Sequence, residues 1–183
     1  IRYVERSRGL GDVYKRQEDY LLKLPYDFYK KTKSYLDVKD LKKIQKAYTF
    51  AFYSHEGQKR KDGSKYITHP VNVASILLEL KMDPDSICAA LMHDILEDCD
   101  VKKNDLAKLF GNDVAEIVDG VSKLSALDIK TSSERDANNL QKMMLAISKD
   151  VRVILVKICD RLHNMRTIAV SYTHLTLPTI CSV

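Results

Sequence analysis

Nothing in the 183 residues approaches the run of roughly 20 apolar side chains that a membrane span needs, and the N-terminus lacks the basic, apolar, small-residue order of a signal peptide. The chain is therefore read as cytoplasmic, with no membrane association. Its four cysteines, Cys88, Cys99, Cys159 and Cys181, stand singly with no Cys-x-x-Cys pair, which excludes a zinc knuckle or a disulfide framework and makes them reduced core residues. There is no repeat at a fixed period and no low-complexity segment. Basic charge is thin as well. Of the formal +5, residues 1–17 supply +3 (five basic, two acidic side chains), leaving +2 for residues 18–183. That surplus is too small and too dispersed for a phosphate-backbone footprint, so no nucleic-acid partner is expected. What is present, 45% hydrophobic and 30% charged residues, suits one soluble globular domain with a proper core.

Both ends look foreign to the rest. "LGDVYKRQ" (10–17) and "SYTHLTLPTICSV" (171–183) resemble translated sequencing-adapter read-through and do not continue the pattern beside them. Residues 1–17 and 171–183 are therefore set aside as non-native tails, natural disordered tails being the alternative; on this reading the natural protein was cut at both ends. Residues 18–39 form a helical lead-in and 40–170 the main domain.

That domain reads as all-α. Leu41, Ile44, Tyr48, Ala51 and Phe52 recur at helical spacing after Asp40, and Pro70 opens a second run through Val73, Ala74, Leu77 and Leu80. Asp83 then Pro84 give an N-cap followed by proline at the first helical position. Asn104 to Phe110 should stop at Gly111, and Asn112 should cap a helix toward Val118 that ends at Asp119-Gly120. Residues 120–133 read as a polar loop, and Thr131 with Glu134 as a capping box for a helix through Leu140, Met143, Met144 and Ile147. Asp150 caps the last helix. Its "VRVILVKI" (151–158) would be a buried strand on propensity, but no second strand exists to pair with it, so helix is expected.

The helix begun at Pro84 carries "LMHDILEDCD" (91–100), one histidine and four carboxylates in ten residues. Placed on a continuous helix, His93, Glu97, Asp94 and Asp98 fall within a sector of about 140°, opposite Leu91, Ile95, Cys88, Cys99, Met92, Leu96 and Ala89. A solvated surface helix shows the same division. Against that, no Lys or Arg occurs from Ser86 to Asp100 although the chain has 30. In the last helix, Asp160, His163, Asn164 and Thr167 continue the buried stripe of Val153 and Val156. Buried polar groups need partners or a metal, and a structural hydrogen-bond network could also supply those partners.

Taken together, the two helices force a choice. If Asp94, Glu97, Asp98 and Asp160 shared a pocket, each pair at about 4 Å would repel by roughly 4 kcal/mol at an effective dielectric of about 20. Either a cation sits among them or some are protonated. His93, Asp94 and Asp160 with a further imidazole make a nitrogen and oxygen set suited to manganese, iron or zinc. His69 in "YITHPVNVA" is the natural donor, though a histidine before proline is, taken alone, more often a helix-entry residue.

The order His69, then His93-Asp94 24 residues on, then Asp160 resembles the HD metal-dependent phosphohydrolase superfamily. More narrowly, "GQKRKDGSKYITHP" (57–70), "LMHDILEDCD" (91–100), "IVDGVSKL" (117–124) and "VILVKICDRLHNMRT" (153–167) resemble the N-terminal hydrolase domain of the RelA/SpoT alarmone enzymes. The resemblance covers about 40–170 and implies an HD-domain helical fold. It also implies a divalent metal, manganese first, and the removal of the 3′-diphosphate from guanosine tetra- or pentaphosphate (ppGpp, pppGpp) in the stringent response. Carried across, His69, His93, Asp94 and Asp160 would be the metal ligands. Glu97 and Asp98 would position and activate the attacking water. Arg60, Lys61, Tyr66, Asn164 and Thr167 would line the guanine-nucleotide and phosphate pocket.

These roles fit the residue chemistry. A divalent metal acidifies its bound water, manganese less than zinc, so a neighbouring carboxylate must accept the proton. Arg60 and Lys61 would neutralise an approaching polyanion, although "KRKDGSK" is also an ordinary solvated loop. Where many members have Ser-Gly-Glu-Pro after the "RK" pair, this chain has Asp62-Gly63-Ser64-Lys65, which alters the charge beside the nucleotide. Both the His-Asp and the Glu-Asp pairs are intact, as in a live hydrolase. No synthetase motif follows, so synthetase and regulatory domains would be missing from the fragment. Two alternatives are an HD nucleotidase of other specificity and a non-catalytic alarmone sensor regulating an absent synthetase.

Overall fold

The computed structural model describes residues 21–60, 63–125, 144 and 149–180, the stretch 168–180 as backbone alone. The helix expected through Leu140 and Ile147, with its Thr131–Glu134 capping box, lies outside the described residues except for Met144, as do residues 1–17, Lys61 and Cys181.

The described chain is helical, with one isolated antiparallel bridge, Lys59 to Lys65. The helices are α1 (Tyr26–Lys33), α2 (Val38–Ser54), α3 (Thr68–Glu79), α4 (Pro84–Leu91), α5 (Ile95–Asp98), α6 (Lys103–Phe110), α7 (Asn112–Ser125) and α8 (Val151–Ile180). The all-α reading is borne out. Several helix starts follow side-chain chemistry. Asp37 and Asp83 accept the backbone N–H of Asp40 and Ser86, and Pro84 occupies the first turn of α4, where its missing N–H costs nothing. Asp150 accepts from the Arg152 N–H at 2.9 Å and opens α8.

α4 is the hub. Ser86 through Leu91 are all buried, and the helix packs against α2, α3, α7 and α8. A helix apolar all round belongs inside a bundle. Ile87 and Ala90, on the side of the helix that carries His93, are fully buried as well. The core continues through Ile44, Phe50, Val73, Leu77, Leu106, Ile117, Val121 and Val156.

Four sequence expectations are corrected. The helix from Pro84 is not continuous through 91–100: it ends at Leu91, and Met92, His93 and Asp94 form a turn before the four-residue α5. α7 does not stop at Asp119-Gly120 but runs through it to Ser125, so 120–125 is helix rather than loop. There α8 lies against α7, and a Cβ on Gly120 would sit 2.8 Å from Val153 Cγ2. The glycine answers a close helix approach, not a break. α3 starts at Thr68, placing His69 inside its first turn instead of ahead of it. Finally, the α8 backbone is helical to Ile180, past the Val170 at which the sequence pattern closes the domain.

Candidate metal centre and active site

Three separate elements bring their polar side chains to one buried point. α3 supplies His69, the turn between α4 and α5 supplies His93 and Asp94, and α8 supplies Asp160. One ligand atom each from His69, His93 and Asp160 lies within 4.8 Å of the others, and all three residues are buried. His69 Nε2 is 3.1 Å from Asp160 Oδ1, and His93 Nε2 is 3.8 Å from the same oxygen. Asp94 adjoins the cluster, with Oδ1 at 3.1 Å from His93 Nε2 and Oδ2 at 3.9 Å from His69 Nε2.

The turn at Met92–Asp94 decides how His93 is used. It rotates the imidazole off the solvent face of a continuous helix and buries it completely. His93 Nδ1 lies 2.8 Å from the Ala90 carbonyl oxygen. A carbonyl only accepts, so Nδ1 carries the hydrogen and Nε2 presents its lone pair to the cluster. That Nε2 is buried with no hydrogen-bond partner; Asp94 Oδ1 is close but lacks the alignment a hydrogen bond requires. An orphaned buried nitrogen aimed between two carboxylates is what a metal-ligand set presents before its ion arrives.

Charge points the same way. Burial would raise the Asp94 carboxyl, but His93 and the Tyr66 hydroxyl hold it down at about 2. Burial likewise opposes ionisation of Asp160, yet His69, His93 and Lys157 keep its carboxyl well below the usual range. Lys157 Nζ binds Asp160 Oδ2 at 3.0 Å and Ser125 Oγ at 2.7 Å. Burial alone would push the His93 imidazolium down, but Asp94, the Ala90 carbonyl and Asp160 outweigh it and raise its pKa. The two carboxylates thus favour positive charge at this point, which a bound cation would supply. The donor set fits a divalent ion.

Around this centre the other expected residues divide. Asn164 accepts from Arg60 Nη2 at 3.2 Å and donates to Asp160 Oδ1 at 2.7 Å, linking Arg60 to the cluster. Thr167 turns its hydroxyl back onto the His163 and Asn164 carbonyls of its own helix. Tyr66 is found on the carboxylates: its hydroxyl is 2.8 Å from Asp94 Oδ2 and 2.7 Å from Asp98 Oδ2. Asp98 is therefore beside the centre, one turn from Asp94, whose carbonyl accepts the Asp98 N–H. Glu97 is exposed on α5, and no ion pair or hydrogen bond among the described residues draws its carboxylate to the cluster. Lys61 lies outside the described residues.

Three participants had no role assigned from sequence. His163 Nδ1 sits 2.7 Å from His69 Nδ1, and burial, His69 and Arg60 push its pKa down to about 4. Its place on the polar stripe of α8, three residues after Asp160, was the available signal. Lys157, three residues before Asp160, had the same spacing signal. His55 stacks on Tyr66 with ring centroids 4.5 Å apart, a long-range packing contact that no local pattern announces.

The HD-domain family model matches residues 47–178. The chain belongs to the HD-domain family. Among curated relatives, this HD domain is 48% identical over 135 residues to the bifunctional (p)ppGpp synthase/hydrolase SpoT of Escherichia coli K12, covering 74% of the chain and 19% of that protein. It is 49% identical over 134 residues, 73% of the chain, to the guanosine-3′,5′-bis(diphosphate) 3′-pyrophosphohydrolase of Vibrio cholerae, again 19% of the relative's length. A solved structure described as "A metazoan ortholog of SpoT hydrolyzes ppGpp and plays a role in starvation responses" matches with a TM-score of 0.55 and 30% identity, covering 75% of the chain and 74% of that one. The SpoT resemblance read from four motifs is thus borne out, and the HD domain spans about a fifth of its curated bacterial relatives. None of the described helices is long and apolar enough to cross a membrane.

Proposed function

We propose that this HD domain hydrolyses the 3′-diphosphate of guanosine tetra- or pentaphosphate, releasing pyrophosphate with GDP or GTP, as the cytoplasmic hydrolase portion of a longer bifunctional stringent-response protein. The observation that carries the reading is the buried convergence of His69, His93 and Asp160, with Asp94 adjoining, linked through Asn164 to Arg60. The activities for which its relatives at 48–49% identity are named point to the substrate.

His69, His93, Asp94 and Asp160 would hold a divalent ion, manganese by preference. When bound, that ion supplies Lewis acidity toward a phosphoryl oxygen and lowers the pKa of water. The chain's own groups do the rest. Asp98, hydrogen-bonded to Tyr66 beside Asp94, would take a proton from the attacking water, and Glu97, on the same turn, would complete the acidic pair. Arg60, with Lys61, offers the cationic counterpart to the incoming polyphosphate, and Asn164 and Thr167 border its approach.

The test is pyrophosphate release from guanosine tetraphosphate against a nucleotide panel, joined to metal analysis. Manganese-stimulated hydrolysis selective for the alarmone is expected. His93→Ala and Asp160→Asn should abolish metal binding, while Glu97→Gln keeps metal and loses most turnover. Full activity in Glu97→Gln refutes its role, tight alarmone binding without hydrolysis makes the domain a sensor, and preference for another nucleotide makes it a different phosphohydrolase.

A further inference from the structure

We infer that His163 is a positioning residue for the metal centre: its Nδ1 accepts a hydrogen bond from His69 Nδ1–H and so selects the His69 tautomer whose Nε2 is free to ligate. The inference rests on the metal-site reading above and adds a residue to it.

The argument begins with proton counting. The two Nδ1 atoms lie 2.7 Å apart, with ring centroids at 4.9 Å and planes tilted by 41°. Two nitrogens at that separation share one hydrogen, since two N–H groups collide and two lone pairs repel. For two neutral rings only two arrangements remain. In one, His163 donates, His69 Nδ1 accepts, and the His69 hydrogen sits on Nε2, facing Asp160 Oδ1 at 3.1 Å. That tautomer turns an N–H toward the carboxylate and cannot bind an ion through Nε2. In the other, His69 donates from Nδ1 to His163, and its Nε2 lone pair joins the His93 Nε2 and Asp160 Oδ1 atoms. Ligation selects the second.

The two histidines of the centre are therefore set by different devices. His93 has a backbone carbonyl, that of Ala90, at its Nδ1, and such an acceptor cannot be removed by a side-chain change. His69, whose ring is buried, depends on an imidazole one helical turn from Asp160. Because His163 and Asp160 both project from α8, one helix delivers a ligand together with the group that prepares another ligand. A ligand's outer hydrogen-bond partner fixes ring orientation and tautomer, and losing it typically costs about 10–100-fold in metal affinity.

Zinc-loaded protein, diamagnetic and 15N-labelled, allows the His69 tautomer to be read by long-range 1H–15N correlation. Protonated Nδ1 and ligated Nε2 are expected; a hydrogen on His69 Nε2 overturns the inference. Manganese affinity is then measured without substrate in His163→Leu and His163→Asn. The leucine removes the acceptor and should weaken binding about 10–100-fold, whereas the asparagine Oδ1 can stand where Nδ1 accepted and should bind within about threefold of the parent. Unchanged affinity in the leucine variant, or equal losses in both, overturns the assignment. If the leucine variant does not fold, the asparagine variant and the tautomer reading still decide. Parent protein that binds manganese but releases no pyrophosphate defeats the substrate reading and leaves this one standing; parent protein that binds no manganese defeats both.

Discussion

A phenol has one proton, so Tyr66 cannot donate to Asp94 and Asp98 at once, although both oxygens lie within hydrogen-bond reach. Burial, followed by the two carboxylates, raises the phenol pKa well above its usual value and keeps that proton in place. Tyr66 is thus expected to act through Asp94 and Asp98 rather than by touching the nucleotide. Tyr66→Phe should lower kcat by about tenfold with KM nearly unchanged, in keeping with the loss of an outer partner. A rise in KM at constant kcat would return Tyr66 to the substrate pocket. At this scale the sequence pointed to which residues gather better than to how they meet. His69, His93, Asp94 and Asp160 were named from order and charge, and the structure brings all four together. The partnerships of Tyr66, His163 and Lys157 depend on the facing of rings and hydroxyls across 28, 94 and 32 residues, and periodicity along one helix contains no such information.

Elements were legible wherever a local rule governs them. Asp83-Pro84 marked the start of α4, Gly111, with φ of 97°, ended α6, and Asp150 capped α8. Errors arose where tertiary packing overrules local pattern. No glycine or proline marks the turn at Met92–Asp94, which carries His93 into the buried cluster. Gly120 reads as a breaker in isolation, but it sits inside α7 because Val153 of α8 occupies the space of its missing side chain. Gly120→Ala exposes the competing terms. Helix propensity favours alanine by about 1 kcal/mol, while overpacking costs roughly 1–3 kcal/mol, and valine has one strongly preferred rotamer in a helix, so it cannot easily swing aside. Gly120→Ala should therefore be net destabilising in urea denaturation. Combined with Val153→Ala, it should be less destabilising than the two single changes summed. Strict additivity would show that the helix approach does not govern this glycine.

For the whole molecule, the centre is an electrostatic load carried by the fold, and its sign can be read from the pH dependence of stability without any ion. Asp94, at about 2, and Asp160 are depressed, so the stability they contribute is present above their unfolded pKa of about 4 and is lost as pH falls. His163, pushed down to about 4, and His55, lowered by burial, contribute stability that is full above their unfolded value of about 6.5 and declines below it. His93 runs the other way. Its raised pKa contributes stability fully present below about 6.5 and lost as pH climbs through the folded value. The sum is a maximum near pH 6.5, with limbs bounded at about 1.4 kcal/mol per pH unit for each proton exchanged. Urea denaturation of chelator-treated protein between pH 4 and 8.5 should show that maximum. Saturating manganese should then raise stability and flatten the alkaline limb, since an ion among Asp94, Asp160 and the two imidazoles meets the demand that the His93 proton otherwise meets. Stability that keeps rising from pH 6.5 to 8 in the metal-free protein, or an alkaline limb indifferent to manganese, would mean that these carboxylates are satisfied by Lys157 and Tyr66 alone, and the reason for a cation at this point in the fold would be gone.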